Sequence, residues 1–259
     1  MKILVLTENN AGQLTSAEHG LSYLIETDGK RILFDTGQSD LFLKNAAIMG
    51  VSLEGIDMIV LSHGHYDHGN GLEYLNGGTL LCHPGSFIRR YRKSDHSYIG
   101  LKNSREELAR KFKLITSREP LRISESIVFA GEIPRTSPFE SKLTSFVLED
   151  GTPDFVTDDS ALIITLPHGL FIITGCGHAG IVNTIEHASA ITGIDKIYGI
   201  MGGFHLREED HQAIETVNYL KNKKVGHVIP SHCTSGAALA RFRTTFDSRP
   251  VGTGDTLSF

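Results

Sequence analysis

The chain is poor in cysteine, in long apolar runs and in charge of one sign, and each shortage excludes something. Three cysteines in 259 residues, Cys82, Cys176 and Cys233, do not suggest a disulfide-framed fold. No apolar stretch approaches the roughly 20 residues of a membrane-spanning helix. The first apolar run, residues 3–6, is too short for a signal-peptide core and no cleavage pattern follows it. A formal net charge of −5 offers no positive surplus for nucleic acid or an anionic membrane. The expectation is a protein of the reducing cytoplasm that acts on a small molecule, with neither nucleic acid nor membrane as partner. Its oligomeric state is left open. Hydrophobic content of 40% and charged content of 21% are ordinary for a soluble globular chain.

Histidine and glycine are plentiful, thirteen and 27 respectively, and the histidines fall near glycine-rich turns. The densest case is Ser62-His63-Gly64-His65-Tyr66-Asp67-His68-Gly69-Asn70-Gly71. Three imidazoles and a carboxylate within six residues are donors for zinc, iron or manganese. Grouping so many polar side chains after an apolar run is costly unless something pairs with all of them, and a metal ion does so. Residues 56–61 read as a short buried strand. His63 and His65, two apart, point the same way on a near-extended backbone. They can share one ion while Asp67 and His68 serve a second, at the 3.5–4 Å spacing usual for two-metal hydrolytic sites.

The remaining elements follow from periodicity and turn signals. Strands are expected over 2–7, 21–27 and 31–34, with Asp28-Gly29 a hairpin turn between the last two. A helix is expected from Ser39 or Asp40 to about Met49, and the Asp35-Thr36-Gly37 strand end before it often lies under an active site. Strand 79–82 ends at His83, which reads as a satisfied strand-end histidine or a ligand. Residues 84–142 break the pattern and read as an inserted cap or lid on a single domain. The cap contains a helix from 104 to about 112 and short β-like runs at 121–123 and 127–129. Its cluster of Arg89, Arg90, Arg92 and Lys93 could hold an anionic or phosphorylated substrate, or be a solvated face.

The second half carries strands over 143–148, 161–166 and 170–174, then Gly175-Cys176-Gly177-His178-Ala179-Gly180 before a helix over 181–191. A cysteine and a histidine among three glycines can approach a metal closely, and a cysteine at a helix start tends towards thiolate. Strand 196–200 leads to His205, helix 208–221 follows, strand 225–229 leads to His232 and Cys233, and helix 235–246 precedes a last strand over 251–259. Asp35, His63, His65, Asp67, His68, Cys176, His178, His205 and His232 all sit at or just past the C-terminal end of a predicted strand. His232 reads as a metal ligand, His205 as ligand, substrate contact or proton shuttle, and Cys233 as structural.

His63-x-His65-x-Asp67-His68, preceded by Asp35-Thr36-Gly37 and followed by Thr174-Gly175-Cys176 and a late His232, resembles the metallo-β-lactamase superfamily over essentially the whole chain. The resemblance implies an α/β (α+β) fold, a four-layer αββα sandwich, with a dinuclear site, usually zinc, along one edge of its sheets. Gly175-Cys176-Gly177-His178-Ala179-Gly180, Gly202-Gly203-Phe204-His205-Leu206 and Ser231-His232-Cys233 together narrow the likeness to the dihydropterin synthase-like branch. The common pattern has another histidine where Asp158 and Asp159 stand, and an aspartate where Cys176 stands. His178 is then expected to supply the missing imidazole, with Cys176 or Asp159 completing the second site and Asp35 holding a ligand histidine. The implied chemistry is hydrolysis by a metal-activated water, with Asp67 orienting or deprotonating it. The alternatives are a transferase condensing a pterin diphosphate with a ribosyl-aminobenzene phosphate, and a non-catalytic metal- or ligand-binding member.

Overall fold

The computed structural model of the protein describes residues 1–207 and 210–259. The chain divides into two compact units, residues 1–117, 145–154 and 251–259 in the first and 118–144 and 155–250 in the second. The segment 84–142 is therefore split, 84–117 belonging to the first unit and 118–142 to the second.

The first unit is built on a seven-stranded sheet, in the order Thr256–Ser258, Lys2–Thr7, Ser22–Thr27, Lys30–Phe34, Met58–Val60, Thr79–Cys82, Lys113–Thr116. The Asp28-Gly29 turn makes the expected hairpin, both residues having positive φ (52° and 66°), which matches the right-handed twist of the flanking strands. From Lys30–Phe34 onward the strands run parallel, so their C-terminal ends lie along one edge. Leu4, Leu6, Leu24, Leu33, Ile59 and Leu80 pack with Phe42 and Ala46 of helix Leu41–Ile48 in one buried cluster. That burial is the main force holding the helix to the sheet, because an eight-residue helix is too short to persist alone. Helix Arg105–Lys111 starts at the expected place, with Ser104 and Glu107 forming a reciprocal capping box.

Periodicity does not predict two strands of this unit, Arg90–Arg92 and Lys113–Thr116. The basic run that contains the first reads as an anion-binding cluster or a solvated face, and 113–116 carries too short a pattern to assign. Lys113–Thr116 is the edge strand, where exposed lysine is favourable. Arg90–Arg92 pairs with Phe146–Leu148 in a separate two-stranded ribbon.

The second unit has a six-stranded sheet, ordered His227–Ser231, Ile197–Gly203, Gly169–Thr174, Ala161–Leu166, Ile127–Phe129, Leu121–Arg122. Its first three strands are parallel to one another. Ile163, Leu170, Ile172, Ile200 and Val228 pack with Ile181 and Ile185 of helix Ile181–Thr192 and Val217 and Leu220 of helix His211–Asn222. The helix expected over 208–221 is described only from His211, capped by the Asp210 carboxylate, and residues 208 and 209 lie outside the described residues. Ser235 caps the last helix, Gly236–Phe246. No helix among the described residues is long and apolar enough to cross a membrane.

Candidate functional site

In the first unit the strand ends deliver a buried network. Asp35 follows strand Lys30–Phe34 with left-handed backbone (φ 57°) and no solvent exposure. One carboxylate oxygen accepts the Ser62 amide at 2.7 Å. The other lies 2.7 Å from the Ser62 hydroxyl and 2.7 Å from His68 Nδ1. Ser62 Oγ is in turn 2.9 Å from His63 Nδ1. With Asp35 ionised, one proton placement satisfies every contact: His68 Nδ1–H and Ser62 Oγ–H donate to Asp35, and His63 Nδ1–H donates to Ser62 Oγ. Both imidazoles then keep the Nε2 lone pair for a ligand, which is how a carboxylate behind a histidine fixes the metal-binding tautomer. Burial raises the Asp35 carboxyl pKa, against the opposing pull of His68 and Ser62. Burial, reinforced by His68 and His65, holds His63 well below its ordinary value, so it is a neutral imidazole.

His63 Nε2 and His65 Nδ1 are 3.0 Å apart. Tetrahedral nitrogen ligands 2.0–2.1 Å from zinc would be about 3.3 Å apart, so these atoms suit a common ion. The His65 ring meets Phe146 of the ribbon edge-on, centroids 5.0 Å apart. Asp67 Oδ2 is 3.8 Å from His68 Nε2 and 3.0 Å from His19 Nε2. That hydrogen bond to Asp67 is the chief cause of the raised pKa of His19. Sequence reasoning missed His19, which sits in a loop far from the motif; its one signal was the His-Gly pairing seen at the other turns. The motif's backbone is tied down by Thr36 N donating to His68 O (2.7 Å) and Gly71 N to Gly37 O (3.0 Å). A Cβ on Gly71 would lie 2.0 Å from Thr36 O, so no other residue fits there.

His83 is buried, and its Nδ1 accepts the Gly85 amide at 3.0 Å, so this ring caps its own turn. The three arginines are not equivalent. Arg89 contacts Glu149 and the Tyr91 hydroxyl at the surface, and Arg92 contacts exposed Asp95. Arg90 points the other way, its side chain only 1% exposed and its Nε 3.3 Å from Asp154.

In the second unit Cys176, His205 and His232 each follow the end of one of the three parallel strands. Cys176 and His232 are buried, and His178 and His205 half-buried with ring centroids 4.2 Å apart. His205 and His232 have left-handed backbone, φ 48° and 50°. Such conformations are strained outside glycine and collect at functional sites. Asp159 accepts the Ala179 amide at 2.8 Å and so holds the loop that carries His178. Burial lifts its pKa to about 7.

Glu140 also escaped sequence reasoning, because it caps a helix by accepting an amide 42 residues away. Its carboxylate accepts the Val182 and Asn183 amides, each at 2.9 Å, at a helix start whose own N-cap is Gly180. Burial raises its pKa from an ordinary 4.5 to about 7. The folded state therefore holds a proton that the unfolded chain releases between pH 4.5 and 7, so this group's contribution to stability falls as pH rises through that window and is level above it. Urea midpoints measured from pH 5 to pH 8 should decline less steeply in Glu140→Gln than in the natural protein. Parallel declines would contradict this.

Within the first unit these donors fit a divalent metal: imidazoles with oriented tautomers and a carboxylate beside them. The likeness to known proteins agrees. The family described as the metallo-β-lactamase superfamily matches residues 16–77, which span His19, Asp35 and His63 to His68. The chain is 37% identical over 249 residues to an uncharacterized protein of Methanocaldococcus jannaschii, covering 92% of this chain and 93% of that one. It is 35% identical over 271 residues to another protein of that organism, 7,8-dihydropterin-6-methyl-4-(beta-D-ribofuranosyl)-aminobenzene-5'-phosphate synthase, covering 95% and 92%. The chain belongs to the metallo-β-lactamase superfamily. The crystal structure of a metal-dependent hydrolase of the β-lactamase superfamily superposes with a TM-score of 0.89 at 28% identity, covering 100% of this chain and 99% of that one. The mixed α/β fold read from the sequence is thus that of the metallo-β-lactamases, a fold that implies a divalent metal.

Proposed function

We propose that the protein is a metal-dependent hydrolase of a small anionic or phosphorylated ester. The observation that carries this is the Asp35–Ser62 network, which leaves both His63 and His68 with an Nε2 lone pair to offer. His63, His65, Asp67 and His68 would hold metal in the first unit. Cys176, His178 and His232 are proposed as further ligands, His178 and Cys176 standing where the chain departs from the common family pattern, for two zinc ions or, alternatively, iron or manganese. A divalent ion there supplies Lewis acidity, polarising a carbonyl or phosphoryl oxygen and acidifying water. Asp67 would orient the attacking water and take its proton, with His19, 3.0 Å away, steadying the carboxylate. His205 is proposed to deliver a proton to the leaving group. The exposed Arg89 and Arg92 would attract the substrate's negative charge, and residues 84–142 would cap it.

The synthase among the relatives favours a second reading, a transferase that joins a pterin diphosphate to a ribosyl-aminobenzene phosphate with loss of pyrophosphate. One assay set separates the two. Turnover of bis-p-nitrophenyl phosphate, an ester or a lactone, lost with EDTA and in His65→Ala, supports hydrolysis. Pyrophosphate release that requires both aromatic partners, with no turnover of the simple esters, supports the transferase.

A further inference from the structure

Cys233 stands outside every role described so far, yet the topology of the second unit brings it to Cys176. The middle one of the three parallel strands, Ile197–Gly203, is flanked by Gly169–Thr174 and His227–Ser231. In register, Thr174 lies opposite Gly202 and Ser231 opposite Gly203. Cys176 and Cys233 each lie two residues beyond the end of a flanking strand, so they meet across the end of the middle one. The residue at that end is Gly203. A Cβ there would lie 2.6 Å from Cys233 Sγ and 2.9 Å from Cys176 Cα, so only glycine allows this approach. Cys233 Sγ reaches 3.3 Å from the Cys176 carbonyl oxygen. The two thiols and an imidazole nitrogen of His232 all lie within 4.8 Å of one another, with Cys176 and His232 buried and Cys233 half-buried.

From this arrangement we propose that Cys233 is a metal ligand, and that Cys176, His232 and Cys233 form a two-sulfur, one-nitrogen site for a thiophilic ion such as zinc. Three donors from one sheet edge leave the fourth position of a tetrahedral ion open, as catalytic zinc sites do. Thiolates discriminate against manganese and magnesium, so this donor set selects the metal by chemistry. The competing role for Cys233 is a thiol that only donates a hydrogen bond to Cys176 O. Serine keeps that bond and loses the soft donor, which makes Cys233→Ser the informative change. The proposal rests on the metal-dependent reading of the protein, and it deepens that reading by naming a ligand and a metal class.

The test loads the full chain with one equivalent of cadmium and reads the ultraviolet cadmium–thiolate charge-transfer band per chain. Two thiolates should fall to one in Cys233→Ser, reducing the band to about half. Cys82→Ala, a change in the first unit, should leave it unchanged. An undiminished band in folded Cys233→Ser overturns the proposal. X-ray absorption of the cadmium-loaded natural protein provides a second measurement that needs no variant: two sulfurs per ion support the site, and one or none overturns it. A protein that binds no metal at all would overturn both this proposal and the hydrolase reading. A halved band in a protein inert towards every ester would leave the site standing and remove hydrolysis alone.

Discussion

Replacing Asp35 with asparagine should weaken metal binding by about 10–100-fold while the chain remains folded. The amide has nearly the shape of the carboxylate, and its oxygen can still accept the Ser62 amide, which lies 2.7 Å from Asp35 Oδ1. Its NH2 group would then face His68 Nδ1 and Ser62 Oγ, both 2.7 Å from Oδ2 in the natural protein. A donor in that position reverses the network. His68 must present an Nδ1 lone pair, which moves its proton to Nε2 and blocks the ligand atom. The Ser62 hydroxyl must turn its hydrogen towards His63 Nδ1, 2.9 Å away, which protonates His63 on Nε2 as well. One isosteric change thus puts two imidazoles in the wrong tautomer. Competition for zinc against a chelator of known affinity measures the loss, and circular dichroism checks the fold. Unchanged affinity would show that Asp35 does not set these tautomers. Asp35→Ala should differ in kind, because it leaves the buried His68 and Ser62 donors without an acceptor and costs about 1–3 kcal/mol for each.

The sequence made the order of elements legible because its signals were local. An apolar run ending in a histidine cluster, an Asp-Gly turn and a Ser-x-x-Glu start each act within a few residues, and each formed where expected. The strand-end rule was also legible, since parallel strands put their C-terminal ends on one edge within each unit. What stayed hidden depends on separation along the chain. His19 reaches Asp67 from a polar loop 48 residues earlier, with only a His-Gly pair to mark it. Glu140 caps a helix by accepting an amide 42 residues away, at Val182. Cys233 looked structural beside His232, because its relation to Cys176 exists only through the register of the strand between them. Asp159 is an intermediate case: its position in an acidic loop drew notice, but its bond to Ala179 did not follow from sequence.

The arginine cluster shows the same limit with the largest consequence for stability. Arg89, Arg90 and Arg92 look alike as a basic run, yet only Arg90 is buried, and strand alternation does not announce it because Arg90 and Arg92, two residues apart in one strand, share a face. Arg90 is turned inward, 1% exposed, with its Nε 3.3 Å from the 6% exposed Asp154 side chain and an NH2 donating to Gly85 O at 3.2 Å. Truncating it to alanine removes the cation and leaves a buried carboxylate behind, a loss of about 3–5 kcal/mol. For a chain of this length that corresponds to roughly 6–20 °C in Tm. Arg89→Ala and Arg92→Ala, whose partners are exposed, should leave Tm unchanged and instead raise KM for an anionic substrate if they attract it. The double change Arg90→Met with Asp154→Leu should recover most of the stability, because it removes both buried charges together. The ribbon that carries Arg90 also carries Phe146 against His65, so unfastening it loosens the packing on a proposed ligand. Arg90→Ala is therefore expected to lower metal affinity together with Tm. A variant that melts normally and loses only substrate affinity would return Arg90 to the substrate-binding face and overturn the buried-pair account.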